Sequence, residues 1–161
     1  QGTYLVPTVA ALRNILDNAR NGIPAYVVDK ADRISENHRR SLQMYYRAGG
    51  NIAMGTDAGT PFNRHGANAM ELEFMTDLGV SPADALRFGT SAGADLMDLA
   101  DQGRVGPGMA ADFLVVDGNP GEDIRMASRR ENHRLIIKGG IPVAGQAVPA
   151  AGPSFQRMAT F

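Results

Sequence analysis

Asp57 stands in the stretch Gly50-Asn51-Ile52-Ala53-Met54-Gly55-Thr56-Asp57-Ala58-Gly59-Thr60-Pro61. Ile52 to Met54 reads as a short buried strand, and Gly55, Gly59 and Pro61 break any regular element after it. Asp57 is therefore expected on a loop just past the C-terminal end of a strand. In parallel α/β architectures, ligands and catalysis collect at that end. A carboxylate there can bind a divalent metal, take a proton from metal-bound water, or do both. The same residue can instead simply cap its own turn through backbone N–H groups. His38 is a second candidate ligand, on the apolar stripe of a helix between Ile34 and Leu42. Its i+4 neighbour is Leu42, which offers a metal nothing, so it reads as a packed helix histidine. His133 falls at the base of a hairpin, where no partner is expected.

Regular elements must carry these residues. Tyr4-Leu5-Val6, ended by Pro7, reads as a strand. Apolar positions at Val9, Leu12, Ile15, Leu16 and Ala19 give a helix that stops at Asn21-Gly22. Ile23 to Tyr26 reads as a loop and Asp32 to Ala48 as a second helix, terminated by Gly49-Gly50. Strand, helices and strand in that order predict a parallel crossover. A further helix is expected over Asn68 to Leu78, with Met70, Phe74, Met75 and Leu78 inward. Ser81-Pro82-Ala83-Asp84 is a helix start: serine caps, proline fills the first turn and aspartate follows three residues after the cap. Helical sequence runs on to Leu99, with a break near Gly89-Thr90. Then the character changes. Phe113 to Val116 is a β run, and Arg125 to Arg134 reads as a solvated connection with little fixed structure. Leu135 to Lys138 and Ile141 to Ala144 flank Gly139-Gly140 as a hairpin, because glycine accepts positive φ at both central positions. Beyond Gly145 the chain reads as a loose tail rich in Ala, Gly and Pro.

Composition narrows the classes. The chain has 161 residues, 43% of them hydrophobic, enough for one domain with a real core. A net charge of −1 argues against a nucleic-acid or membrane-surface partner. The absence of cysteine excludes disulfides, thiolate metal sites and a cysteine nucleophile, and leaves the compartment open. No apolar run approaches the roughly 20 residues that span a bilayer. Gln1-Gly2-Thr3 carries neither an initiator methionine nor a signal peptide, so the expectation is the interior of a longer protein.

Two motifs carry a resemblance. One is Gly55-Thr56-Asp57-Ala58-Gly59, followed by His65-Gly66-Ala67-Asn68 and Glu71-Leu72-Glu73; the other is Gly103 to Pro120. In that order they resemble the C-terminal part of the amidohydrolase superfamily, metal-dependent hydrolases on a (β/α)8 barrel. The resemblance is nearest to the imidazolonepropionase-like and Xaa-Pro dipeptidase-like members and covers residues 3–144. It implies an α/β fold: the last two βα units of the barrel over residues 1–100, a segment of the accompanying small β-sandwich over 101–146, and a tail over 147–161. Tyr4 to Thr8 then matches the seventh barrel strand and Ile52 to Asp57 the eighth. By the same resemblance Asp57 is metal ligand and proton shuttle, the cofactor is a divalent metal, zinc foremost, with one or two ions in the full-length parent, and the substrate is a small molecule or peptide. His65, in a loop over the same mouth, then either contacts substrate or is a solvent-exposed loop histidine.

The departures from the family matter as much. Its other ligands, a His-x-His after strand one, a carboxylated lysine or glutamate after strand four, and histidines after strands five and six, have no counterpart here. One carboxylate does not hold a catalytic zinc, which takes about three protein ligands. Three functional readings remain. The first is a piece of an enzyme that hydrolyses an amide, peptide or cyclic amide bond with metal-activated water, inactive as the isolated chain. The second is an α/β module whose loop binds an anion or small molecule, against which stand the negative charge of Asp57 and the absence of Lys or Arg within that loop. The third is a structural fragment that has lost activity. Two barrel strands leave open edges and uncovered apolar stripes, so the remainder of a barrel or a copy of the chain is expected to cover them.

Overall fold

A parallel pair of strands places the Asp57 loop. The computed structural model describes residues 2–145, so the expected tail over 147–161 lies outside the described residues. β1 (Tyr4–Leu5) is followed by α1 (Val9–Asp17), α2 (Ala25–Arg47) and β2 (Asn51–Ile52). β1 and β2 pair in parallel, Tyr4 with Asn51 and Leu5 with Ile52. Ala53 extends the ladder by donating its N–H to Leu5 O at 3.1 Å. Ile52 and Ala53 have no solvent exposure, which is why the run is apolar without alternation.

α2 begins at Ala25, seven residues before the expected Asp32. Pro24 occupies its N-cap position, and its carbonyl accepts from Val27 N and Val28 N. Ala25 and Tyr26, read as part of a loop, are thus the first residues of the helix, started by a proline that has no N–H to leave unpaired.

After β2 a long loop leads to α3 (Met70–Asp77), then α4 (Pro82–Gly89) and α5 (Ser91–Leu96). Ser81 Oγ accepts from Asp84 N at 3.1 Å, the expected cap. Thr90, with φ −129° and ψ −94°, separates α4 from α5 where the break was expected. Val9, Leu42, Ile52, Leu72, Met75 and Phe88 form the centre of the core. Burying a ring such as Phe88 contributes about 2 kcal/mol.

β3 (Phe113–Val116), α6 (Arg125–Ser128), a 3-10 turn (Arg130–Asn132), β4 (His133–Lys138) and β5 (Ile141–Ala144) complete the described chain. The strands form an antiparallel sheet in the order β3-β4-β5. Gly139 and Gly140 turn the hairpin with φ of +57° and +79°, as expected. Two expectations fail here. The stretch from Arg125 to Arg134 is no solvated connection: it holds α6, and Ile124, Ala127 and Ser128 are buried. His133 does have a partner, since its Nε2 donates to Ala127 O at 2.9 Å. The first arises because α6 packs against α3, a contact between residues far apart in the chain; the second because α6 sets Ala127 O six residues before His133. No helix among the described residues is long and apolar enough to cross a membrane.

Candidate active site

The loop after β2 starts with a close approach. A Cβ on Gly55 would lie 2.4 Å from Val6 Cγ1, so only glycine lets the backbone leave β2 against the end of β1. Thr56 and Asn63 are buried, and Asp57 is exposed. Asp57 has φ +54°, in the left-handed region that aspartate tolerates better than most residues. Its backbone carbonyl accepts from Thr60 Oγ1 at 3.1 Å and Asn63 Nδ2 at 3.2 Å. Asn63 Nδ2 also reaches Thr56 O at 2.5 Å, making Asn63 the internal strut of the loop. Asn63 was not singled out from the sequence. An asparagine a few residues after a Gly-rich turn is a signal for such bracing.

The Asp57 carboxylate accepts no hydrogen bond and joins no ion pair among the described residues. The turn-capping alternative for this side chain therefore has no support: the backbone of the turn is satisfied by Thr60 and Asn63 instead. His65 is exposed, and its ring folds back on the same loop, with Nε2 3.5 Å from where a Gly59 Cβ would stand. No hydrogen bond joins His65 to Asp57. His38 is not part of this loop. It is half-buried on α2 and donates through Nε2 to Pro7 O at 2.7 Å, the behaviour of a packed helix histidine.

Next to this loop, the turn after β1 is held by a residue that sequence reasoning left in the background. Glu71 has no solvent exposure. Its two carboxylate oxygens accept from Val9 N at 2.8 Å and Ala10 N at 2.6 Å, the first N–H groups of α1. Thr8 precedes them at φ +46° and makes no side-chain cap, so Glu71 takes the capping role from α3. Burial pushes the Glu71 carboxyl up to about 7, against the two backbone donors, which favour the charged form. Glu73, two residues on, faces α6. It accepts from Arg129 Nη2 at 2.9 Å and from Ser128 Oγ, and Arg129 holds its carboxyl below the usual range. Arg130 Nη2 donates to Gly66 O at 2.9 Å, tying the loop that carries His65 to the segment before β4.

Among the described residues no three His, Asp or Glu side chains converge on a metal position. One carboxylate, Asp57, does not meet the roughly three-ligand requirement of a catalytic zinc, so residues 2–145 do not hold such an ion by themselves. An apolar groove of about 600 Å³ lies between α3, α4 and β3, lined among others by Met54, Leu72, Leu86 and Phe113. Neither Asp57 nor His65 lines it.

The chain is 28% identical over 158 residues to the ochratoxinase of Aspergillus niger, a match covering 95% of this chain and 31% of that protein. A crystal structure of a Xaa-Pro dipeptidase with bound methionine superposes with a TM-score of 0.76 at 33% identity, over 88% of this chain and 34% of the other. A prolidase complexed with N-methylphosphonate-L-proline gives 0.78 at 25% identity, over 90% and 36%. The chain thus spans about a third of the length of these relatives. The model of the amidohydrolase family matches residues 1–143, nearly the whole sequence, and the chain belongs to that family.

Proposed function

We propose that the whole protein to which this chain belongs hydrolyses an amide, peptide or cyclic amide bond, with Asp57 as its proton carrier. The observation that carries this reading is an exposed, unpaired carboxylate on a braced loop, just past the end of a strand that pairs in parallel with β1. In the proposed reaction water attacks the carbonyl carbon and the C–N bond breaks. Asp57 accepts a proton from the attacking water and delivers it to the leaving nitrogen. His65, folded back on the same loop, contacts the substrate.

The proposal extends to architecture. β1 and β2, with the helices that follow them, are the last two βα units of a (β/α)8 barrel over residues 1–100. The antiparallel sheet is a segment of a small β-sandwich over 101–146. Metal dependence belongs to the same proposal: a divalent ion, zinc foremost, takes Asp57 as one ligand and draws its other ligands from outside residues 2–145. The apolar groove beside Met54 and the open sheet edges are covered by the remainder of the barrel or by a second copy of the chain. The names of the relatives support a substrate with an amide bond, small molecule or dipeptide.

The test is Asp57→Asn in the whole protein. The loop backbone is held through Thr60 and Asn63, so the variant keeps its fold, while turnover of a dipeptide substrate falls by about 10²- to 10⁴-fold. Turnover near that of the parent overturns the reading.

A further inference from the structure

We propose that Glu71 is a positioning residue for this site: its buried carboxylate locks the Thr8 turn at the end of β1 in the conformation that flanks the Asp57 loop. The inference rests on the reading above, that the chemistry occurs at Asp57. Three observations carry it. Thr8 is β-branched yet sits at φ +46° and ψ +46°, a strained conformation for such a residue that persists only where its surroundings impose it. The imposing contacts are present. His38 grips Pro7 O from α2, and Glu71 grips Val9 N and Ala10 N from α3. The turn is also in contact with the site, since Val6 Cγ1 lies against Gly55, two residues before Asp57.

The clamp is also sensitive to protonation. As a carboxylate, Glu71 offers an acceptor oxygen to each N–H; protonated, one of its oxygens becomes a donor facing an N–H donor, and one of the two bonds weakens. Burial places this change near pH 7. Among the described residues, no charged group on the elements packed around it bonds to Glu71, whose only hydrogen-bond partners there are Val9 N and Ala10 N. On α1, Arg13 pairs with Asp17 and lies 3.9 Å from Asp77 of α3. On α4, Arg87 pairs with Asp84. Arg129, beside α6, pairs with Glu73 of α3, and Arg125 of α6 pairs with Asp123. On α2, His38 meets Pro7 O, and Arg39 pairs with Glu36. Arg64 and His65, in the loop before α3, make no bond to Glu71. The carboxyl therefore answers to its burial and its two backbone donors.

The experiment follows the Val9 and Ala10 amides by NMR in the whole protein, labelled with ¹⁵N at valine and alanine, from pH 5 to 9. It also measures kcat and KM on a dipeptide over the same range, for the parent and for Glu71→Gln. Both amide shifts are expected to move together with a midpoint near pH 7, and the movement is lost in Glu71→Gln. In that variant kcat falls by about 10- to 100-fold, the scale of a misplaced catalytic group, while KM changes by less than about threefold. Amides that stay flat through neutral pH, or that titrate alike in Glu71→Gln, overturn the clamp. A kcat unchanged in Glu71→Gln across the range overturns the positioning role even where the amides titrate. Activity surviving Asp57→Asn removes the hydrolytic reading instead, and the amides then decide the clamp alone. Should Glu71→Gln fail to fold, the parent protein decides it: a kcat that falls on the acid side with the same midpoint as the Val9 and Ala10 amides supports the positioning role, and a kcat indifferent to that transition overturns it.

Discussion

The turns after β1 and β2 leave the same end of the same parallel pair, and each contains a non-glycine residue in the left-handed region, Thr8 and Asp57. They are built in opposite senses. At the first turn a buried acid from α3 serves the backbone: Glu71 spends both oxygens on Val9 N and Ala10 N. At the second turn the backbone serves an acid, as Thr60 and Asn63 hold the Asp57 carbonyl and leave its carboxylate in solvent. A carboxylate that satisfies buried donors is framework. One whose supporting bonds go only to its main chain is free to change partners during a reaction. The two acids are thus told apart by where their hydrogen bonds go, since residue type is nearly the same.

The sharpest way to break this contrast is to remove each acid in turn. Glu71→Ala strands two buried N–H groups and opens a cavity, a loss of about 2–5 kcal/mol. Asp57→Asn keeps a residue that tolerates φ +54°, changes only an exposed side chain, and stays within about 0.5 kcal/mol of the parent. Urea melts of the whole protein measure both, and equal losses would erase the distinction between framework and free acid.

Dependence on pH comes next. The Glu71 carboxyl is raised from the ordinary 4.5 to about 7 by burial, so the folded chain binds this proton more tightly than the unfolded chain. Its contribution is fully present below 4.5 and is lost as pH rises to about 7, a swing of roughly 3 kcal/mol. Glu73, lowered by Arg129, and Asp84, lowered by the Tyr46 hydroxyl, act in the reverse sense, and their contributions are lost as pH falls below the ordinary carboxylate range. Melting temperature should therefore peak on the acid side of neutrality. Glu71→Gln should flatten the decline between pH 4.5 and about 7, and an unflattened decline would assign it to another group.

How much of this was legible in the sequence depends on the range of the interaction. The Asp57 loop, the Ser81 cap and the Gly139-Gly140 hairpin are local devices, in which residues a few positions apart satisfy each other, and all three read correctly. The early start of α2 failed because Pro24 was read within a loop that ran to Tyr26, whereas it occupies the N-cap position of the helix. Glu71 was visible only as part of a motif. Its task is set by Val9 and Ala10, some sixty residues away, and no periodicity announces such a partner. The same holds for Glu73 with Arg129 and for the burial of α6.

The smallest expected effect refines the comparison at Thr8. Glycine accepts φ +46° without strain but adds freedom to the unfolded chain, and the two terms nearly offset. Thr8→Gly should leave stability within about 1 kcal/mol of the parent, read from the same melts. A larger loss would show that the threonine side chain itself supports the turn.

Pro142 lies on β5, opposite Ile137 of β4, with exposed Ile141 and Val143 on either side. Such a sequence at a sheet margin would otherwise be a template for fibril growth, apolar and ready to recruit another chain. A proline there presents one N–H fewer to an incoming strand. It makes this margin a poorer template for a further strand than its apolar neighbours alone would.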